Sequence, residues 1–417
     1  MLTKKLPMGY MAGALACLMT LACSATATSE TEGGDDLVAA NTTFGVEIFS
    51  VLAEDSPAGN LFISPYSIST ALAMTWAGAE GRTAEQMAEV LRFGMPEESV
   101  HQQFEDIQGK LASDYRQQYI QGTGDPLTLE VANALWAQED FSLLADYVDL
   151  VRARYDAEAR NLDFVGDPEG ARQTINTWVE EKTRDRILDL LPRGSVDAMT
   201  RLVITNAVYF KGSWCDPFSE SATSDGSFTT AEGSEVTVPM MHQTEDYPYA
   251  EIHGCRAVEL PYADNQSSML VMLPDGDLGE FEQTLTEQRL SDITASLTSR
   301  EVELTMPSFE FTSSFSLSDV LKAMGMTRAF APGEADFSGM TGSRDLYISA
   351  VIHKAFVKVD EEGTEAAAAT AVVMALTSAR PEPEPVVLTL DRPFLFLIRD
   401  RITGSILFMG RVADPSA

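Results

Sequence analysis

Apolar residues recur at helical spacing through the first half of the chain, and in short runs or alternation through the second. Phe44, Ile48, Val51 and Leu52 fall three to four positions apart, the period of one helix face. Ser64-Pro65 opens a second helix carrying Ile68, Leu72 and Trp76, which Gly78 and Gly81 end. The same spacing predicts helices over 102–118, 142–155 and 167–183, the last with Ile175, Trp178 and Val179 on one face. Strand patterns cover 127–136, 202–210, 258–260, 269–273, 301–306, 348–359, 394–398 and 405–409. No repeat has a fixed period and no linker divides the pattern. The reading is one α+β unit over 41–414.

One segment breaks the pattern. Glu361 to Ala371 reads Glu-Glu-Gly-Thr-Glu-Ala-Ala-Ala-Ala-Thr-Ala. Alanine favours a short helix here, interrupted by Gly363. Downstream, Pro381, Pro383 and Pro385 forbid regular pairing. A small, proline-free run tethered between a strand and a proline-rich acidic stretch is built to move.

Composition narrows the function. The 417 residues carry a formal charge of -34 with 45% hydrophobic content. Such a chain is repelled by phosphate backbones, which excludes nucleic acid as a partner. It also lacks the basic clusters that heparin-like polyanions or anionic lipid require, so long-range steering favours basic partners. At the N-terminus, Lys4 and Lys5 precede an apolar stretch from Met8 to Ala22, which reads as an export signal over 1–27, followed by a flexible linker over 28–40. Ala25-Thr26-Ala27 fits ordinary small-residue cleavage. Leu21-Ala22-Cys23 is the second reading, a lipoprotein site with Thr20 where leucine is expected. These features predict a secreted, extracellular or periplasmic protein, with lipid anchorage through Cys23 as the alternative. Cys215 and Cys255 are then the cysteines of the folded domain, a pair that an oxidising compartment could join.

Enzyme signatures are missing. His101, His242, His253 and His353 form no HExxH, no CxxC accompanies them, and no GxSxG, GxxxxGK[ST] or GxGxxG occurs. The sequence therefore predicts no metal, no cofactor and no catalytic residue.

Several separated motifs together resemble the serpins, the serine-protease inhibitors. They are Asn60 to Ile68, Thr205 to Gly212, His353-Lys354-Ala355-Phe356, the segment from Glu361, Asp391 to Phe396, and Leu407 to Val412. The resemblance implies a serpin fold of three β-sheets and about nine helices, with an exposed reactive loop over about 362–386. It implies an irreversible suicide-substrate inhibitor of serine, or cysteine, endopeptidases: monomeric, not an enzyme, and an exported bacterial-type member. The target is held as a covalent complex, with elastase-like or chymotrypsin-like proteases favoured. The alternative is a non-inhibitory serpin acting as a binding or carrier protein.

The resemblance also assigns residues. Glu361, Gly363, Thr364, Glu365, Ala366, Ala367, Ala368, Ala369 and Thr370 form the hinge, with Thr364, Ala366, Ala368 and Thr370 on the face that must enter a closed core. The family's spacing places the scissile bond at Thr377-Ser378, with Leu376 and then Arg380 as alternatives. Ser67, Asn206 and His353 match a buried polar cluster beneath the central sheet, and Trp214 matches an aromatic at the sheet opening. Ser308 stands where many members carry a lysine that pairs with the residue matching Glu361, so that ion pair is expected to be missing.

Overall fold

In a computed structural model the described residues are 34–111, 128–364 and 384–417. Helix α1 (Gly34–Asp55) buries Leu37, Phe44, Ile48 and Leu52, and it begins inside the stretch expected to be linker. In α2 (Pro65–Trp76), Pro65 starts the first turn and the Ser64 side chain accepts from the Ser67 backbone N–H, capping an otherwise orphaned donor. Every residue of α2 is buried, so it lies within the core rather than on it. Gly81 does not end that run: it opens α3 (Gly81–Leu91), whose Thr83, Met87, Val90 and Leu91 face inward. Further helices are α4 (Glu97–Leu111), α5 (Ala145–Tyr155), α6 (Pro168–Lys182), α7 (Leu278–Gln283), α8 (Glu287–Ala295), α9 (Ser318–Ala323) and α10 (Ser338–Thr341).

Two sheets carry the strands. The six-stranded sheet contains β2 (Thr128–Gln138), β3 (Glu158–Leu162), β4 (Leu202–Ser213), β10 (Phe309–Ser316), β11 (Ala350–Asp360) and β12 (Gly363–Thr364), in the order β10-β11-β12-β4-β2-β3. The nine-stranded sheet contains β1 (Leu61–Ile63), β5 (Ser224–Thr229), β6 (Glu235–Ile252), β7 (Cys255–Pro261), β8 (Ser267–Pro274), β9 (Thr298–Pro307), β13 (Val386–Thr389), β14 (Phe394–Asp400) and β15 (Ile406–Val412). Its order is β1-β15-β14-β8-β7-β6-β9-β13, with β5 paired to β6. The three sheets implied by the sequence thus run as two hydrogen-bonded units, because the 18-residue β6 pairs with β5 and β9 and then, at its far end, with β7.

Aromatic packing ties the layers together. Phe62 of β1 stacks on Phe408 of β15 at 5.0 Å between ring centres and on Phe396 of β14 at 5.6 Å. A separate apolar cluster, with Trp136, Ile175, Trp178, Val179 and Ile187, seats α6 on the six-stranded sheet. There Trp136 meets Trp178 edge-on at 5.3 Å and donates its indole N–H to Thr205 Oγ1 at 2.9 Å.

One buried ion pair fastens the chain end. Arg411 of β15 donates to both oxygens of Glu282 at 3.3 and 3.0 Å and to the carbonyls of Ser56 and Gly59. Burial raises the Glu282 carboxyl and the Arg411 guanidinium opposes that rise. A guanidinium buried without its counter-charge costs about 3–5 kcal/mol. Glu282→Ala is therefore expected to destabilise the fold by about that amount, whereas Glu282→Leu combined with Arg411→Met recovers most of it. Urea unfolding of the three proteins checks this.

Candidate functional site

The site is built around a seam. β11 and β4 pair in parallel over Ala350–Ala355 and Val203–Val208, then part to admit β12. Val359 and Asp360 pair with Thr364 and Gly363 on one side; Ser213 and Gly212 pair with Gly363 and Thr364 on the other. Both β12 pairings are antiparallel. Gly363 and Thr364 therefore occupy a strand position between two neighbours.

Local chemistry holds them there. Gly363 has φ +154, and a Cβ on it would lie 2.1 Å from the Gly212 carbonyl oxygen and 2.7 Å from the Ser213 Cα. Only a glycine fits so close to a neighbouring backbone. Thr364 is 1% exposed and its hydroxyl meets the Tyr262 hydroxyl at 2.8 Å. Trp214 stacks on Tyr262 at 4.8 Å with ring planes 8° apart, donates its indole N–H to the Asp360 carbonyl at 3.0 Å, and gives its backbone N–H to the Glu362 carbonyl at 2.9 Å. Burial raises the Tyr262 phenol far above its ordinary value, so it stays neutral.

The turn between β11 and β12 is acidic. Phe218 N–H donates to the Glu361 carbonyl at 2.8 Å, and Glu362 N–H to the Asp360 carboxylate at 3.1 Å. Lys358 pairs with Asp360 at 3.1 Å. Partial burial raises the Glu362 carboxyl, and the negative charges of Asp360 and Glu220 add to that rise. Ser308 contributes only its backbone N–H, to Pro239, and the Glu361 carboxylate instead accepts from the Thr223 hydroxyl at 2.6 Å. Nothing in the local sequence around Thr223 signals that contact.

Below the seam, the structure brings Ser67, Asn206 and His353 together, and adds Asn133 and Ser64. Asn133, Asn206 and His353 are register partners across β2, β4 and β11. Asn206 Nδ2 donates to Asn133 Oδ1 at 2.5 Å and to Ser67 Oγ, while its Oδ1 meets His353 Nδ1. His353 Nε2 accepts from the Ser64 N–H at 3.2 Å, which puts the ring proton on Nδ1. Complete burial pushes the His353 imidazole down to about 3. The ring is neutral, and among the described residues its partners are Asn206 and the Ser64 N–H rather than a carboxylate. The signal for Asn133 was legible only as a polar residue within an apolar run.

Other expected positions separate from this site. Glu365 to Thr370, Leu376, Thr377, Ser378 and Arg380 lie outside the described residues. Cys215 and Cys255 are both free thiols rather than a disulfide; burial pushes the Cys255 thiol up to about 11. Among the described residues, no cluster of three His, Cys, Asp or Glu side chains could hold a metal.

Comparison with known proteins places this geometry. The family described as "Serpin (serine protease inhibitor)" matches residues 39–415. The leukocyte elastase inhibitor of Bos taurus is 41% identical over 391 residues, covering 91% of this chain and all of that protein. An uncharacterized serpin-like protein of Thermococcus kodakarensis is also 41% identical, over 91% of this chain and 86% of its own. Among solved structures, native protease nexin-1 with heparin superposes with a TM-score of 0.80 at 31% identity, covering 92% of this chain and all of that one.

These matches correct one expectation. The bovine inhibitor is aligned end to end while the family match opens only at residue 39, so the segment expected to direct export has no counterpart in it. Export is accordingly withdrawn, together with secretion, a periplasmic location and lipid anchorage through Cys23. The bacterial-type assignment goes with it, since the two relatives named above are vertebrate and archaeal. With the family match spanning nearly all of the folded unit, the chain belongs to the serpin family.

Proposed function

We propose that this protein is a single-use inhibitor of serine endopeptidases, of elastase-like or chymotrypsin-like preference, and that it traps its target as an acyl-enzyme. The observation that carries the reading is the β11–β12–β4 arrangement. β12 starts a strand antiparallel to both neighbours, at the point where their parallel pairing stops. Extending it downward exchanges one parallel ladder for two antiparallel ones, and antiparallel pairing is the more stable per residue. The intact loop is held back because both of its ends are tethered, at Thr364 and at Val386. Cutting between Thr377 and Ser378 frees the upstream arm to continue the strand.

Acyl transfer supplies the trap. The attacking serine is esterified to the upstream arm at the moment that arm is released, so the protease is carried along with it. Displacement of the target's catalytic groups from their oxyanion-hole geometry slows deacylation. The side chains required to enter the core are small: Thr364 is already buried, and Ala366, Ala368 and Thr370 follow at period two. A carrier role has no such requirement. His353 and Asn206 sit opposite each other across the seam, so their hydrogen bond closes the sheet before cleavage and must part when a strand passes between them.

Incubation with leukocyte elastase, a chymotrypsin-like and a subtilisin-like protease, followed by a denaturing gel, is expected to give a heavy band with at least one of them. Thr364→Arg or Ala368→Pro should turn that band into cleaved product alone, since one places a charge in the core and the other removes a ladder donor. Undiminished complex with both variants would refute the mechanism.

A second outcome concerns His353. Its folded value lies near 3, below the ordinary 6.5, so the unfolded chain takes up the proton first as pH falls. This contribution is complete above pH 6.5 and is lost as pH drops toward 3, which amounts to about 2 kcal/mol between pH 6.5 and 5. His353→Gln should lower stability at pH 7 and flatten this slope, without altering which protease is bound. Urea midpoints at pH 7 and 5 read the first effect, and the protease panel reads the second.

A further inference from the structure

A hollow of about 350 Å3 opens at the foot of the loop's downstream arm, where β6, β9 and β13 meet. Its walls include Tyr249, Glu251, Ser296, Thr298, Arg300 and Val386, and Val386 is the first paired residue after the loop. Around it the charged groups are largely committed to one another. Tyr249 donates to Glu251 at 2.6 Å, His253 meets Asp292 at 3.1 Å, Arg256 pairs with Asp275 at 4.0 Å, and Arg289 caps the Thr284 and His253 carbonyls. Arg300 is exposed, and its guanidinium has neither ion pair nor hydrogen bond among the described residues. Beside it, Val387 presents an apolar side chain that is 58% exposed.

We infer that this hollow is a docking point for the body of the endopeptidase that attacks the loop, with Arg300 receiving a carboxylate from the rim of that enzyme's cleft. The inference rests on the inhibitory reading above. Ser378 and Val386 are eight residues apart, a stretch that spans at most about 28 Å. A globular protease domain is about 40 Å across. A body of that size, holding the bond in its cleft, has its rim within reach of the sheet end where the arm is anchored. A short extended segment also covers less than the ~800 Å2 per partner of a standard interface, so contact beyond the loop is needed to reach it. An unspent guanidinium offers two parallel donors to a carboxylate, and the neighbouring charges are already paired with one another. In a chain of charge -34, one free cation at that place selects among partners rather than steering them all.

The test uses the full chain and whichever protease of the panel the wild type traps fastest. Arg300→Glu is expected to lower the second-order rate of complex formation at least fivefold at low ionic strength, with the deficit shrinking as salt is added. Arg300→Lys should fall between, and Arg82→Ala, whose charge is paired on α3, should match the wild type. The number of inhibitor molecules consumed per protease trapped should not change, because strand insertion is untouched. If the wild type forms no complex, the inhibitory reading fails. If it does, and Arg300→Glu reacts within twofold of it, reacts faster, or slows only by consuming more inhibitor, the docking inference is overturned.

Discussion

The molecule depends on an unfinished ladder. β11 and β4 pair with each other over their lower halves, and among the described residues the upper half of the seam holds two, Gly363 and Thr364. Everything around that point either holds the wedge or keeps the seam beneath it shut. Tyr262 and Trp214 clasp it from one side, and the close approach of Gly212 leaves no room for a Cβ at Gly363. Below, the row from Asn133 through Asn206 to His353 joins the three strands through their side chains. Satisfied polar rows of this kind specify one arrangement of a core.

Much of the helical layer was legible because its signals are local. Ser64-Pro65 announces α2 through a capping hydroxyl and a residue suited to a first turn. α3 was missed because Gly81 reads as a stop, although its inward face of Met87, Val90 and Leu91 keeps helical spacing. β6 was missed for the opposite reason. Pro239 and Pro248 and the polar run around Gln243 to Asp246 argue against a strand, yet long pairings with β5 and β9 carry it through. Propensity gives way there to tertiary context. The start of α1 was displaced because its first residues are small and acidic and carry no period.

The site was legible in pieces. Ser67, Asn206 and His353 are far apart in sequence and nothing local connects them; only the likeness of their surrounding motifs to one family did. Asn133 was invisible as a partner because strand register is needed to place it opposite Asn206. The loss of a lysine at Ser308 was readable, but its replacement by the Thr223 hydroxyl on Glu361 was not, since that contact spans 138 positions. β12 itself is too short for any pattern to announce.

The position of β14 and β15 bears on how the protein is made. Both strands lie in the interior of the nine-stranded sheet, and among the described residues β1 pairs with β15 alone. Phe62 is translated long before either of its partners, so its stack on Phe396 and Phe408 cannot form until the chain has been made as far as β15. Every strand of the six-stranded sheet is translated within that interval, so β4 and β11 can pair before β1 receives its neighbour in the other sheet.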